Sequence, residues 1–180
     1  MKLACVAAAF IILLSTACSP HPYTCTDPLG CLEISPGSPV VIGLLYTSTG
    51  PYSQTGSDTL AQVEQAITDR GTLLGHEIGL IREGSDCTPE GVFKAATRLA
   101  LHGELIAVIQ PECGEDLVIN TRPLEAAGIS LLRPSPSEVY AAVNLLFANI
   151  EKIAVRGQGK TLYFPRTAVR EALEETGYHP

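Results

Sequence analysis

The chain has 180 residues, with 12 Lys and Arg against 19 Asp and Glu, a net charge of −7. An acidic chain with no basic run and no tryptophan argues against nucleic-acid binding and against a polybasic membrane patch. Beyond the N-terminal signals, roughly 140 residues are enough for one domain with its own core.

Lys2 precedes an uncharged apolar run, 3–14, closed by Ser15, Thr16, Ala17 and Cys18. The run is too short to cross a bilayer, so 1–17 reads as a secretory signal. STAC resembles a lipobox, in which Cys18 becomes the new N-terminus and carries lipid. That places the chain at the outer face of the cell membrane, held through a lipid anchor only. Residues 18–38 are rich in Pro and Ser and read as a tether. Residues 39–180 read as the domain.

Four cysteines remain once Cys5 leaves with the signal and Cys18 takes lipid: Cys25, Cys31, Cys87 and Cys113. An even set in an exported chain reads as disulfides. Cys25 and Cys31 bracket the turn-forming TDPLG and are expected to pair, which leaves Cys87 with Cys113. Zinc sites favour closer spacing than C-x5-C, so no metal is expected.

PVVIGLLY is a continuous apolar run that suits a strand buried on both faces. A Gly/Ser/Thr loop follows, then a helix from Ser53 or Asp58 to Arg70 with Leu60, Val63, Ala66 and Ile67 on one face. GTLLGHE reads as a turn and 77–83 as a second strand. Pro89 opens a helix that runs to about His102 and buries Val92, Ala95, Ala96 and Leu99. ELIAVIQ is a third strand, 114–127 a helix broken at Pro123, and ISLLR a fourth strand. Val139, Val143, Leu146, Phe147, Ile150 and Ile153 recur at helical spacing, with Ser135 or Ser137 as the cap. A last helix is expected over 165–175.

Strand and helix alternate throughout, which predicts an α/β fold: a single flavodoxin-like lobe of about four parallel strands in the order second-first-third-fourth, with helices on both faces. The loops 46–57, 84–90, 110–116 and 133–137 then share the carboxyl edge, where open α/β sheets bind ligands. Catalytic patterns are nearly present and incomplete. His76-Glu77 lacks a second histidine at Leu80, and RGQGKT has Ala154 at the first glycine position of a phosphate loop. Asp86, Glu112, Glu115 and Asp116 lie by carboxyl-edge loops, where such acids more often cap helices than catalyse. No nucleophile–base pair can be named, so no enzyme activity and no cofactor are expected.

The region 39–134 resembles the first lobe of the Leu/Ile/Val-binding family, the type I extracytoplasmic solute-binding proteins of ABC importers. VVIGLLYTSTGPYSQTG is similar to the family's opening strand and Gly-Pro loop. DRGTLLGHEIGL, SDCTPEGVFKAATRLA and AVIQPEC are similar to the segments that follow, and Cys87 and Cys113 fall where some members carry a bridge. The family's second lobe is absent: the PSPS stretch at 134–137 looks like the splice, followed at once by segments like the family's returning helices. The resemblance implies a small amino-acid-like solute, an ABC importer permease or another lobe-bearing protein as partner, and ligand contacts at Ser48, Thr49, Tyr52, Thr55, Gly114, Glu115 and Ser137. Two positions depart from it. Gly114 stands where members have a ligand-binding serine, and Thr55 where an aromatic is common. Tyr52, Leu45 and Pro111 are expected to leave an apolar patch on the open edge, a feature that often marks an interaction site. The alternative reading is a non-transport interaction domain, or a degenerate remnant, that uses the old cleft face for protein contact.

Overall fold

The computed structural model describes residues 23–111 and 120–178. Four parallel strands form its centre: β2 (Val40–Thr47), β4 (His76–Ser85), β5 (Leu105–Ile109) and β6 (Ser130–Leu132), after a short N-terminal strand β1 (Cys31–Ile34). Residues 71–77, expected as a turn, form a hairpin instead. Strand β3 (Thr72–Leu73) runs antiparallel to β4 through Leu74 and Gly75, both at positive φ. The sheet order is β3-β4-β2-β5-β6, so the four parallel strands follow the second-first-third-fourth order that the alternation predicts.

Strand β2 pairs with β4 along its whole length, from Val40↔Ile78 to Thr47↔Ser85, and with β5 on its other side. Its side chains alternate between two cores. Val40, Ile42 and Leu44 join α1 (Ser53–Arg70), α4 (Val139–Ile153) and α5 (Arg166–Glu174). Leu45 faces the other way, toward α2 (Pro89–Ala100) and α3 (Arg122–Ala126). Helices on both faces of a mostly parallel sheet make this an α/β lobe.

Six residues separate the end of β6 from the start of helix α4, which packs on the sheet through Val139, Ala142, Val143, Leu146, Phe147 and Ile150, all buried. Helix α1 holds the connection between them: Gln62 Nε2 donates to the Pro136 carbonyl at 2.9 Å, and the Tyr140 N–H donates to Gln62 Oε1 at 3.3 Å. Neither Ser135 nor Ser137 caps the helix. Glu138 is the N-cap residue, and the Ser135 hydroxyl donates to its carboxylate at 2.5 Å. The expected helix over 114–127 is described only from residue 120, where α3 occupies five residues starting just before Pro123.

The second sheet is a correction to the sequence reading. Strand β1 pairs antiparallel with β8 (Leu162–Pro165), which pairs with β7 (Val155–Arg156). Residues 31–34 were expected in the tether, yet Leu32 and Ile34 enter the main core beside Leu162 and Phe164. In this short amphipathic segment only alternate residues are apolar, and the local Pro and Ser content masks them.

The Cys25–Cys31 disulfide closes a loop that docks on the far end of the chain. Asp27 receives the Leu29 N–H at 2.8 Å, the Thr167 N–H at 3.0 Å and the Thr167 hydroxyl at 3.1 Å. The Arg166 N–H donates to the Gly30 carbonyl at 3.0 Å. Helix α5 has no side-chain cap from its own N-cap residue, so the loop supplies those acceptors from 140 residues away. Desolvation pushes the Asp27 carboxyl up, but the Leu29 and Thr167 hydrogen bonds and the Arg170 charge outweigh it and hold the group below its ordinary value.

Asp27→Ala is expected to lower the thermal midpoint by a few degrees. A lowered folded pKa gives stability that is present above the unfolded carboxylate value, about pH 4, and is lost as pH falls through the folded value. The gap between wild type and variant should therefore hold at neutral pH and narrow below about pH 4. A gap that widens in acid would show that Asp27 does not carry the docking.

Candidate functional site

The four parallel strands end side by side at Thr47, Ser85, Ile109 and Leu132, so the loops after them share one edge. The first two loops are stitched together by backbone. The Ser48 N–H donates to the Ser85 carbonyl at 2.8 Å, and the Ser48 hydroxyl donates to the same oxygen at 3.3 Å. The Thr49 N–H lies 3.4 Å from it. Below them, Thr47 Oγ1 donates to Cys87 Sγ at 3.2 Å. Cys87 is half of a disulfide, and Cys113, its expected partner, lies outside the described residues.

Helix α1 begins directly over this edge. Among the described residues no side chain caps its N-terminus, and its first turn holds no acidic residue. Helix α2 is filled in the opposite manner. Thr88 Oγ1 accepts the Gly91 N–H at 3.0 Å, while Asp86 Oδ1 accepts the Thr88 N–H at 3.0 Å and the Thr88 hydroxyl at 2.7 Å. Those Thr88 hydrogen bonds hold the Asp86 carboxyl below its ordinary value. Asp86 is thus committed to its own turn. In the first turn of α1 the Ser53 and Gly56 N–H groups donate to the Gly50 and Tyr52 carbonyls, which leaves those of Gln54 and Thr55, with the positive end of the helix dipole, at the edge.

Ser48, Thr49 and Tyr52 are exposed on this first loop, and Thr55 sits half-buried in the first turn of α1. Ser137 is exposed too, but its loop is anchored at Gln62, well along α1, and its only hydrogen bond among the described residues is to Ser135. The structure therefore groups the first four candidates and leaves Ser137 apart from them. Gly114 and Glu115 lie outside the described residues, as does Cys18. The expected apolar patch is not assembled. Leu45 and Pro111 are buried, and Tyr52 alone is open, at 46% exposure.

One edge residue escaped the sequence reading. Gln110 follows the last residue of β5, is 1% exposed, and among the described residues neither Oε1 nor Nε2 has a hydrogen-bond partner. A primary amide closing an otherwise apolar run was the available signal. Nearby, Arg133 Nη2 donates to Thr121 Oγ1 at 3.1 Å, so α3 and the end of β6 are tied together. Among the described residues no cluster of His, Cys, Asp and Glu could hold a metal, and no helix is long and apolar enough to cross a membrane.

Fold and edge together define an α/β lobe with its strand-end loops gathered on one side. No family model matches the chain, and no curated protein matches it. Among solved structures it is similar to the leucine-binding protein LivK of Thermotoga maritima, at 16% identity and a TM-score of 0.44, over 78% of this chain and 47% of that one. It is similar to a solute-binding protein of an ABC transporter from R. palustris in complex with 4-hydroxybenzoate, at 14% identity and a TM-score of 0.46, over 78% and 45%. It is also similar to LivJ of Streptococcus pneumoniae, the substrate-binding protein of a branched-chain amino acid transporter, in complex with isoleucine, at 17% identity and a TM-score of 0.45, over 54% and 29%. The chain spans less than half the length of each.

The join of α1 to β2 is the most sensitive point of the edge. A Cβ on Gly56 would stand 1.8 Å from the Thr47 carbonyl oxygen, a backbone atom that cannot rotate away. Gly56→Ala is expected to destabilise the lobe by about 3 kcal/mol or more, read by chemical denaturation. Gly103→Ala, where nothing lies within 4 Å, should differ little from wild type.

Proposed function

We propose that this chain is the solute-binding lobe of an extracytoplasmic lipoprotein, taking a small amino-acid-like ligand at the carboxyl edge. The observation that carries the reading is the uncapped, acid-free N-terminus of α1, set beside the hydroxyls of Ser48, Thr49, Tyr52 and Thr55. Such an end suits a carboxylate, and the hydroxyls suit an ammonium or a second polar group. The resemblance of the opening strand and loop to the Leu/Ile/Val-binding family supports the same class. In this reading the lobe works beside an ABC importer permease or a partner that supplies the second lobe.

One lobe leaves its ligand wet on one side. A few polar contacts at about 1 kcal/mol each correspond to a dissociation constant near or weaker than about a millimolar. Calorimetric titration with a panel of amino acids is the test. Binding by at least one of them is expected, several-fold weaker in Tyr52→Ala and unchanged in Glu174→Arg on α5. Binding lost in Glu174→Arg and intact in Tyr52→Ala would move the interface to the back of the lobe. Binding to none would favour protein contact on this face.

Anchoring is tested separately. Cys18→Ala is expected to abolish lipid labelling and to leave the chain as precursor or soluble product. Unchanged membrane retention of that variant would remove the lipobox from the proposal.

A further inference from the structure

The second sheet closes against the amino ends of β2 and β4 and leaves a cavity of about 630 Å³ there, within the range of small-molecule sites. Its lining includes Pro36, Leu74, His76, Arg156, Lys160 and Leu162. It lies at the opposite end of the parallel sheet from the candidate solute site. We propose that this cavity is an anion site for a phosphate or carboxylate group borne on a small apolar body.

Three observations carry it. The first is charge. In a chain with 19 acids and 12 Lys and Arg, the cavity is lined by two cations and a histidine, and by no carboxylate. The acids nearest in sequence are Glu33 and Glu77. By strand alternation they face away from the side that buries Leu32, Ile34 and His76, and both are exposed. The second is that these cations are uncommitted. Arg70, Arg82, Lys94 and Arg98 are each paired with a glutamate, whereas Arg156 and Lys160 make no ion pair among the described residues. Both are exposed at the cavity and face no carboxylate in its lining, an arrangement that favours an anion there.

The third is backbone. Lys160 has a φ of +71°, a left-handed conformation that a lysine adopts at a cost, directly after Gly159 at +63°. The turn is closed by the Gly157 N–H donating to the Thr161 carbonyl at 2.8 Å. This is the RGQGKT stretch, which lacks the strand and first glycine of a phosphate loop, yet still brings its Arg and Lys to one cavity. His76 is nearly buried, with Nδ1 2.7 Å from the Ser38 carbonyl. A carbonyl only accepts, so Nδ1 carries the hydrogen, and the ring is fixed in orientation on the cavity wall. Leu74, Leu162 and Pro36 supply the apolar side.

Phenyl phosphate is the probe, with phenol as its uncharged counterpart, titrated calorimetrically into the full chain. Phenyl phosphate is expected to bind and phenol not. The double variant Arg156→Gln, Lys160→Gln should bind at least about tenfold more weakly, while Arg82→Gln binds as wild type. Lys160→Gly removes the charge and relieves the left-handed strain, so weaker binding there, with an unchanged thermal midpoint, reports the charge. Sedimentation with phosphatidylcholine vesicles, with and without phosphatidylglycerol, separates a lipid headgroup from a soluble anion. Retention that needs both phosphatidylglycerol and the two cations assigns the site to lipid. The proposal is overturned if neither phenyl phosphate nor the anionic vesicles bind, or if the double variant and Lys160→Gly bind as wild type does.

Discussion

Strand β2 is the element on which the others depend. It pairs with a strand on each edge and most of its residues are buried, so most of its backbone has left water. Such a strand is tolerated only if its N–H and C=O groups are paired. The pairing partners β4 and β5 are therefore obligatory, and their parallel direction forces each connection to cross a face of the sheet as a helix. Gly43 at its midpoint marks how close the layers are, since a Cβ there would lie 2.8 Å from Val108. The carboxyl edge follows from the same constraint. Parallel strands that start together end together, and the loops after them have one place to go.

Around that strand the chain closes on itself. The disulfide loop near the N-terminal end caps α5 near the C-terminal end, and β1 pairs with β8 across the same span. These contacts convert a Pro- and Ser-rich stretch into part of the core. They also build the cavity at the amino end, because its walls come from 36–37, 74–76 and 156–162, three segments distant in sequence. The two ends of the sheet thus differ chemically. The carboxyl edge offers hydroxyls and a bare helix start, and the amino end offers cations.

The connection from β6 to α4 is held in place by another helix. Six residues suffice because α1 already presents Gln62 to hold both the Pro136 carbonyl and the Tyr140 N–H. The Tyr140 hydroxyl then reaches Asp69 Oδ2 at 2.8 Å, which ties α4 to the last turn of α1. Helix α4 buries the same apolar face that its 3.6-residue period announces.

Much of this was legible in the order of residues. Apolar runs separated by amphipathic helices determine strand order and the shared edge, because burial of both faces admits few topologies. The positions of Ser48, Thr49 and Tyr52 on the first loop follow from that pattern alone. The burial of Gln110 was not legible, because a polar side chain ending a strand is ordinarily solvated, and only packing shows it buried and without a hydrogen-bond partner among the described residues. Residues 31–34 and 162–165 were not legible as strands either. They are four residues long and pair with each other across the whole chain, and local propensity carries no record of a partner so far away. The sequence by itself determined the parallel sheet and which loops share its carboxyl edge. Only tertiary structure decided which helix start lies bare, which acid is spent as a cap, and which cations meet at one cavity, because those depend on contacts between segments that no spacing encodes.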